Sequence, residues 1–307
     1  MDSQDVEGRA ESLGVSEGEG LDLSEEEPAI SLGVEKEELL DEKKKRYDKA
    51  FIEMFKRVYK PNATEVPYTL RQLREAAREV GIEIKNIPDV NYGYRVGRYD
   101  IPNEISEPGK WWIIEGVKKG EYKLVQLRRS PWFTVPRDLY ITEIPEATPD
   151  IVLKYGGSDE QGMLTRVRYN RLVDTFLSLT AYHLQGHARS AVPGMGQVEV
   201  DDLYVGVNTA GEWHVIPVEA KSKGDRVRLG VVQVRQMILY ARHNYSSLTL
   251  RPVGFKILAD GSLVFMEFDD EINYDQMSVK RYARYRLIRD DTPGIRKPDP
   301  QAGNRIA

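Results

Sequence analysis

The sequence contains no cysteine and only four histidines among its 307 residues. Without cysteine the chain forms neither a disulfide nor a cysteine-ligated zinc site, and four scattered histidines are too few for a convincing histidine metal site. It also lacks an apolar run as long as a membrane span, and its first residues are acidic, unlike a secretory signal. We therefore expect a cytoplasmic protein that has no membrane partner.

Negative charge is concentrated at the start of the chain. The formal net charge is -5, but residues 1–42 hold fifteen acidic residues against Arg9 and Lys36, so the remaining residues are net positive. Because residues 1–42 are rich in Gly, Ser and Glu and contain no aromatic residue, we expect a disordered acidic leader. Its role is either that of a solubilising tail or that of a DNA mimic that competes for a basic surface. Residues 290–307, with three prolines, are predicted to form a second loose tail.

Carboxylates lie on two predicted strands that are joined by a turn. Residues 197–207 and 213–221 are rich in β-branched residues, and a turn-like Asn-Thr-Ala-Gly lies between them. Side chains on a strand alternate between its faces, so Glu199 shares a face with Asp201, and Glu219 shares a face with Lys221. Asp202 is predicted to face away from this set.

Acidic side chains on buried strands are costly unless a cation compensates their charge. Oxygen ligands favour Mg²⁺, with Mn²⁺ as a substitute, so we predict a metal site held by Asp201 and Glu219, with Glu199 as a further candidate ligand. Lys221 would orient a water or offset charge on a reacting phosphate. The alternative is a solvated sheet edge on which Glu199, Asp202 and Lys221 point to water.

The spacing of these residues resembles a known nuclease motif. Asp201, a gap of seventeen residues and then Glu219-Ala220-Lys221 resembles the core of the PD-(D/E)xK nucleases, the fold of many type II restriction endonucleases, although Val200 replaces the proline of the motif. The resemblance extends over roughly residues 160–270. It implies that Asp201 and Glu219 are metal ligands, that Lys221 is the catalytic lysine, and that double-stranded DNA is the substrate. A homodimer is expected, because cutting both strands of a palindromic site calls for two-fold symmetry.

Two neighbouring helices add candidate residues. Such nucleases often carry a further acid on the helix before the motif, which we predict over 162–184, where Asp174 is the only acidic residue and Asn170 is an alternative. On the helix predicted over 229–242, Gln236 and Tyr240 lie one turn apart and resemble the QxxxY element of one branch of these nucleases. Gln233 is an equal candidate, and a core-edge helix with polar residues is the alternative.

The preceding region resembles a winged helix-turn-helix. Helices are predicted over 41–59 and 69–81, followed by a hairpin whose loop contains Lys118 and Lys119. The second helix has one arginine face, which would enter a major groove, while the two lysines would contact phosphates. The arginines of this face are Arg71, Arg74 and Arg78. The alternative is a solvated surface helix.

Together these observations predict an α/β protein with a restriction-endonuclease-like mixed sheet flanked by helices, preceded by a winged-helix-like α+β domain. We expect a Mg²⁺-dependent type II restriction endonuclease. The alternatives are a DNA-binding or regulatory protein whose nuclease fold does not cut, and a repair or mobile-element nuclease that recognises DNA structure. The predicted regions are the leader (1–42), DNA-binding domain (43–130), proline-punctuated connector (131–158), nuclease domain (159–289) and tail (290–307).

Overall fold

Residues 29–42 were expected to be disordered, but they belong to a helix. The computed structural model describes residues 29–157, 159–223 and 228–289, and side chains from residue 39 onward. Helix α1 spans Ala29–Val58, since Glu, Lys and Leu in this stretch are good helix formers. The contacts place the chain from Lys44 onward in one unit, distinct from a unit that ends at Lys43. Residues 1–28 and the predicted tail 290–307 lie outside the described residues.

After α1, the first third of the chain forms a small three-stranded sheet packed against helices. The strands are ordered β1-β3-β2, and both pairs are antiparallel. The core between sheet and helices includes Phe51, Met54 and Leu124, each of which is fully buried. The elements are β1 (Glu65–Thr69), α2 (Leu70–Glu79), α3 (Pro88–Arg95), a 3-10 turn (Asn103–Ile105), β2 (Trp111–Lys118) and β3 (Glu121–Leu127).

Helix α2 begins at the capping box that the sequence predicts. The hydroxyl of Thr69 accepts a hydrogen bond from the Gln72 N–H, and the Gln72 side chain accepts one from the Thr69 N–H at 2.8 Å. The helix was predicted to continue to residue 81, but it ends at Glu79, and Val80 beyond it is 37% exposed. Helix α3 was not predicted, although a proline at a first helical position is a common start signal.

The rest of the chain forms one mixed eight-stranded sheet, which confirms the predicted mixed sheet of an α/β protein. Its order is β4-β11-β10-β9-β7-β6-β5, with β8 also paired to β7. The pairs β4–β11, β7–β9 and β7–β8 are parallel and the others are antiparallel. The strands are β4 (Ile141–Pro145), β5 (Thr180–Val192), β6 (Gly196–Val207), β7 (Trp213–Lys221), β8 (Thr249–Leu250), β9 (Val253–Ile257), β10 (Leu263–Phe268) and β11 (Val279–Ile288).

Helices cover both faces of this sheet. Buried side chains of α5 and α6 pack with Ile216, Val218 and Phe265 on one face, and those of α7 pack with Leu203 and Val215 on the other. Because β4 lies within residues 131–158 and pairs with β11, the predicted connector contributes an edge strand to the sheet. The helices are α4 (Asp150–Tyr155), α5 (Glu160–Tyr169), α6 (Leu172–Leu177) and α7 (Val231–Asn244).

The single helix predicted over 162–184 is wrong. Helix α5 ends at Tyr169, and Arg171 adopts a left-handed backbone conformation with φ of 47° before α6 begins. The break is stabilised by the buried side chain of Asn170, which accepts a hydrogen bond from the Ala147 N–H at 2.7 Å. The chain then enters β5 at Thr180, so His183 and His187 lie on a strand.

Candidate active site

The predicted carboxylates come together where β6 and β7 stop pairing. The final register pair of these strands is Asp202 opposite Val218, so Asp201 and Glu219 come next on the facing strands. One carboxylate oxygen of Asp201 accepts a hydrogen bond from the Ala220 N–H at 2.8 Å. Strand alternation places Asp201 and Glu219 on the same face of the sheet as Leu203 and Val215, which is the face that α7 covers.

The lysine of the motif is paired inside this site. Lys221 Nζ lies 2.8 Å from Glu219 Oε1, and both side chains are only 12% exposed. Burial by itself lowers the pKa of Lys221, but the charges of Glu219 and Asp201 outweigh it and hold that pKa above its ordinary value. Lys221 is therefore a fixed positive charge beside the two carboxylates.

Asp201 is destabilised as an anion. Burial, together with the charge of Glu219, raises its pKa to about 7, against the opposing effects of the hydrogen bond from the Ala220 N–H and the charge of Lys221. Burial and a nearby like charge both disfavour the ionised form of a carboxyl group. A cation between Asp201 and Glu219 would remove this penalty, so the donor set fits a divalent metal that prefers oxygen ligands.

A third carboxylate, Glu160, belongs to this site and was missed by the sequence reasoning. It is the first residue of α5, and one of its carboxylate oxygens accepts a hydrogen bond from the Ser222 N–H at 2.8 Å. Its charge raises the pKa values of both Asp201 and Lys221. The helix was predicted to begin at residue 162, whereas α5 begins at Glu160, so this acid lay outside the predicted helix. Asp159, which caps the helix by accepting from the Gly162 N–H, is the signal that marks the true start.

Asn170 and Asp174, the two residues predicted to complete the site, make hydrogen bonds to other parts of the chain. Asn170 holds the junction after α5, as described above, and its amide also donates to Thr148. Asp174 accepts a hydrogen bond from the Ala181 N–H at 2.9 Å and pairs with Arg171, which fixes the start of β5. Neither side chain is free to take the role that Glu160 occupies.

Glu199 is engaged away from the Asp201–Glu219 pair. It accepts hydrogen bonds from Arg189 and lies 2.9 Å from the Nδ1 of His187, both on the exposed side of β5. The Arg189 hydrogen bonds hold the pKa of Glu199 below its ordinary value. The structure therefore gives Glu199 a surface ion pair, which differs from the predicted metal ligation.

Asp202 faces away from Asp201, as predicted, but it does not point to water. Its side chain is fully buried and accepts two hydrogen bonds from Arg168, at 2.6 and 3.0 Å. His183 Nε2 and the Tyr204 hydroxyl each lie 3.0 Å from the same carboxylate. This cluster anchors β6 directly behind Asp201, and the solvated-edge alternative is wrong for Asp202.

The two glutamines of α7 occupy different surroundings. Gln233 is 9% exposed and lies against the backbone carbonyl of Arg95, with a donor–acceptor distance of 3.5 Å, so its neighbours are in the first third of the chain. Gln236 is half-buried on the helix that covers the face bearing Asp201 and Glu219, and Tyr240 is buried one turn further on.

The side chains at this site do not by themselves complete the coordination of a metal ion. In the part of the chain that the structure describes, no three side chains of His, Cys, Asp or Glu are grouped so that they could hold one metal ion. Two protein carboxylates still fit Mg²⁺, because this ion keeps several waters and is commonly bound by one or two carboxylates.

A basic surface joins α2 to the β2–β3 hairpin. The three arginines predicted on one face of α2 are all exposed, and Arg71 lies 3.8 Å from Glu75. Lys118 and Lys119 are exposed at the hairpin loop, where Lys118 pairs with Glu121 at 3.1 Å. The Leu70 N–H donates to the Gly120 carbonyl at 3.0 Å, so the start of α2 and the hairpin loop lie side by side. We call this the α2–hairpin surface.

Comparison of the chain with protein-family models, curated proteins and solved structures yields no match. Among the described residues, no helix is long and apolar enough to cross a membrane.

Proposed function

We propose that this protein is a Mg²⁺-dependent endonuclease that hydrolyses phosphodiester bonds of double-stranded DNA, as a PD-(D/E)xK nuclease of the type II restriction endonuclease kind. The observation that supports it most is the buried set of Asp201, Glu219 and Lys221 at the end of the β6–β7 pair, with Glu160 beside it. Carboxyl groups whose pKa is raised by burial and by a second carboxyl are concentrated at catalytic and metal-binding sites.

Asp201 and Glu219 would hold the divalent cation, and Mn²⁺ would substitute for Mg²⁺. Such a cation supplies a water of lowered pKa and a polarised phosphate. Lys221 keeps its proton at neutral pH, so its ammonium can stabilise negative charge that develops on a phosphate oxygen. Glu160 is held by the Ser222 N–H, and its carboxylate strengthens the negative field that attracts the cation.

The α2–hairpin surface is the proposed DNA-binding surface. Its exposed arginines offer bidentate hydrogen bonds to guanine edges, and Lys119 offers a phosphate contact. The order α1-β1-α2-α3-β2-β3 supports a winged-helix arrangement, with the β2–β3 hairpin as the wing. In a helix-turn-helix the second helix reads bases, which makes α3 a second candidate reader beside α2. A homodimer would present two such surfaces and two cleavage sites to a palindrome.

One observation favours a second candidate, a DNA-binding protein that does not cut. Because three grouped metal ligands are absent from the described residues, the affinity of the site for a cation rests on Asp201, Glu219 and the DNA phosphate itself. The same basic surface would serve this function equally well.

Incubation of the purified protein with supercoiled plasmid and Mg²⁺ tests the proposal. A restriction endonuclease yields linear fragments whose sequenced ends share one motif, and a structure-directed nuclease yields ends without a shared motif. A non-cutting protein shifts the plasmid on a gel but leaves it supercoiled. Uncut plasmid under conditions where the protein demonstrably binds DNA contradicts the proposal, and the variant Glu219→Gln is the control for contaminating nucleases.

A further inference from the structure

A cleft of about 450 Å³ lies between residues 94–114 and the start of α7. This volume falls in the range of small-molecule sites. One wall is built by Pro131 and Trp132. Trp132 forms a bridge with Gly230, and the Val231 N–H donates to the Pro131 carbonyl at 2.9 Å. Three of the four tryptophans of the chain line the cleft, namely Trp111, Trp112 and Trp132.

The indole ring of Trp132 packs directly against the backbone of two glycines. A Cβ atom added at Gly97 or at Gly230 would lie 2.7 Å from the indole ring, so both positions accept only glycine against this ring. The guanidinium of Arg228 lies over the ring at 4.4 Å from its centroid and pairs with Asp100. An aromatic wall fixed on several sides is preorganised for a planar ligand, because little conformational entropy remains to be lost on binding.

Two polar atoms of the lining have no hydrogen-bond partner within the described residues. Gln233 is nine-tenths buried, and its Oε1 is an unpartnered acceptor. The Nε of Arg95 is an unpartnered buried donor, and the Gln233 amide nitrogen lies 3.5 Å from the Arg95 backbone carbonyl, so the two residues adjoin in the lining of the cleft. Buried polar atoms are normally satisfied, and an exception calls for a ligand or water.

The start of α7 adds a preference for negative charge. This helix has fourteen residues, and its first residue follows Gly230, which provides no side-chain cap. The first-turn N–H groups of a helix lack intrahelical acceptors and attract anions. In α7 the Val231 N–H already donates to the Pro131 carbonyl, so an anion would bind at the N–H groups of Val232 and Gln233. The cleft therefore combines a fixed aromatic wall, an adjacent acceptor and donor, and a site for an anion.

We propose that this cleft binds a nucleotide, with its base among Trp111, Trp112 and Trp132 and its phosphate at the start of α7. The edge of a nucleobase carries a donor next to an acceptor, which matches Gln233 Oε1 and Arg95 Nε. The nucleobase comes either from a free nucleotide or from a DNA base turned out of the duplex. The inference does not depend on the proposed cleavage, because binding is measured without Mg²⁺.

Two binding experiments distinguish these sources. In the first, GMP, AMP, CMP and TMP are titrated into the protein by calorimetry. In the second, the protein is added to duplexes that carry 2-aminopurine, whose fluorescence increases when the base leaves the stack. We expect saturable binding of at least one nucleotide or a fluorescence increase in the duplex. The variant Gln233→Leu should weaken that signal about tenfold, since a buried base donor then has no acceptor.

The exposed Gln276 provides the matched control, because Gln276→Leu removes an amide outside the cleft and should bind as the parent does. Arg95→Met is the second variant in case Gln233→Leu does not fold, as judged by circular dichroism. An absence of signal in both experiments, or the same affinity in parent, Gln233→Leu and Arg95→Met, overturns the inference and indicates that water alone satisfies these atoms.

Discussion

Replacement of Asp201 by asparagine should make the metal-free protein more stable, although it removes a proposed metal ligand. Burial and the charge of Glu219 raise the pKa of Asp201 to about 7 from an ordinary value of 3.8. The folded state therefore opposes ionisation of this carboxyl. Asparagine has no charge, and its carbonyl oxygen can still accept the hydrogen bond from the Ala220 N–H.

The sign and pH range follow from linkage. Below pH 3.8 the carboxyl is protonated in both the folded and unfolded states, so Asp201 contributes no penalty. Between pH 3.8 and 7 only the unfolded state ionises freely, so the penalty grows, and above pH 7 it is complete. The full difference corresponds to at most about 4 kcal/mol, and because the site is only partly buried we expect Asp201→Asn to gain about 2 kcal/mol at pH 8.

Urea denaturation of parent and variant between pH 4 and pH 8, with EDTA present, measures this gain. Glu199→Gln is the matched control on the same strand: the pKa of Glu199 is lowered by Arg189, so its replacement should not increase stability. Addition of Mg²⁺ at ten times its Kd should stabilise the parent by about 1.4 kcal/mol and leave Asp201→Asn unchanged. A variant that is less stable than the parent at pH 8, or a gain independent of pH, would refute the electrostatic argument.

Three further predictions concern residues other than Asp201 and Glu219. Asp202→Ala should lower the free energy of unfolding by about 3–5 kcal/mol in urea denaturation, because it leaves the Arg168 guanidinium without its carboxylate; a loss below about 1 kcal/mol would contradict the role of the cluster. Arg74→Ala should cost about 1–3 kcal/mol of DNA-binding free energy and relax preference at one base position, whereas Lys119→Ala should weaken binding to all sequences alike and lower the salt dependence; selection from a randomised DNA library distinguishes the two. Removal of the acidic residues 1–28 should tighten non-specific DNA binding at low salt, with a gain that fades as salt increases, and an unchanged affinity at low salt would show that the segment does not compete with DNA.

Local sequence patterns were sufficient to predict the parts of the fold that depend on residues close together in the sequence. The alternation in β6 and β7 and the turn between them predicted a hairpin, and the hairpin by itself brings Asp201, Glu219 and Lys221 together. The capping box at Thr69 marked the start of α2 for the same reason.

Features that depend on residues far apart in the sequence could not be predicted from local patterns. The helix break after α5 depends on contacts of Asn170 with residues 146–148, and the burial of Asp202 depends on Arg168, which lies on another element. Glu160 joins the site only because α5 begins against the backbone that follows β7. Short-range periodicity contains no information about these pairings.

The most direct test of the central claim is the rate of plasmid cleavage in Mg²⁺ by the parent protein and by Lys221→Met, with DNA binding measured in Ca²⁺ alongside. If Asp201, Glu219 and Lys221 form a phosphodiesterase centre, the variant loses cleavage by a factor of about 100 or more while it binds DNA as the parent does. Cleavage by Lys221→Met at the rate of the parent would contradict the claim.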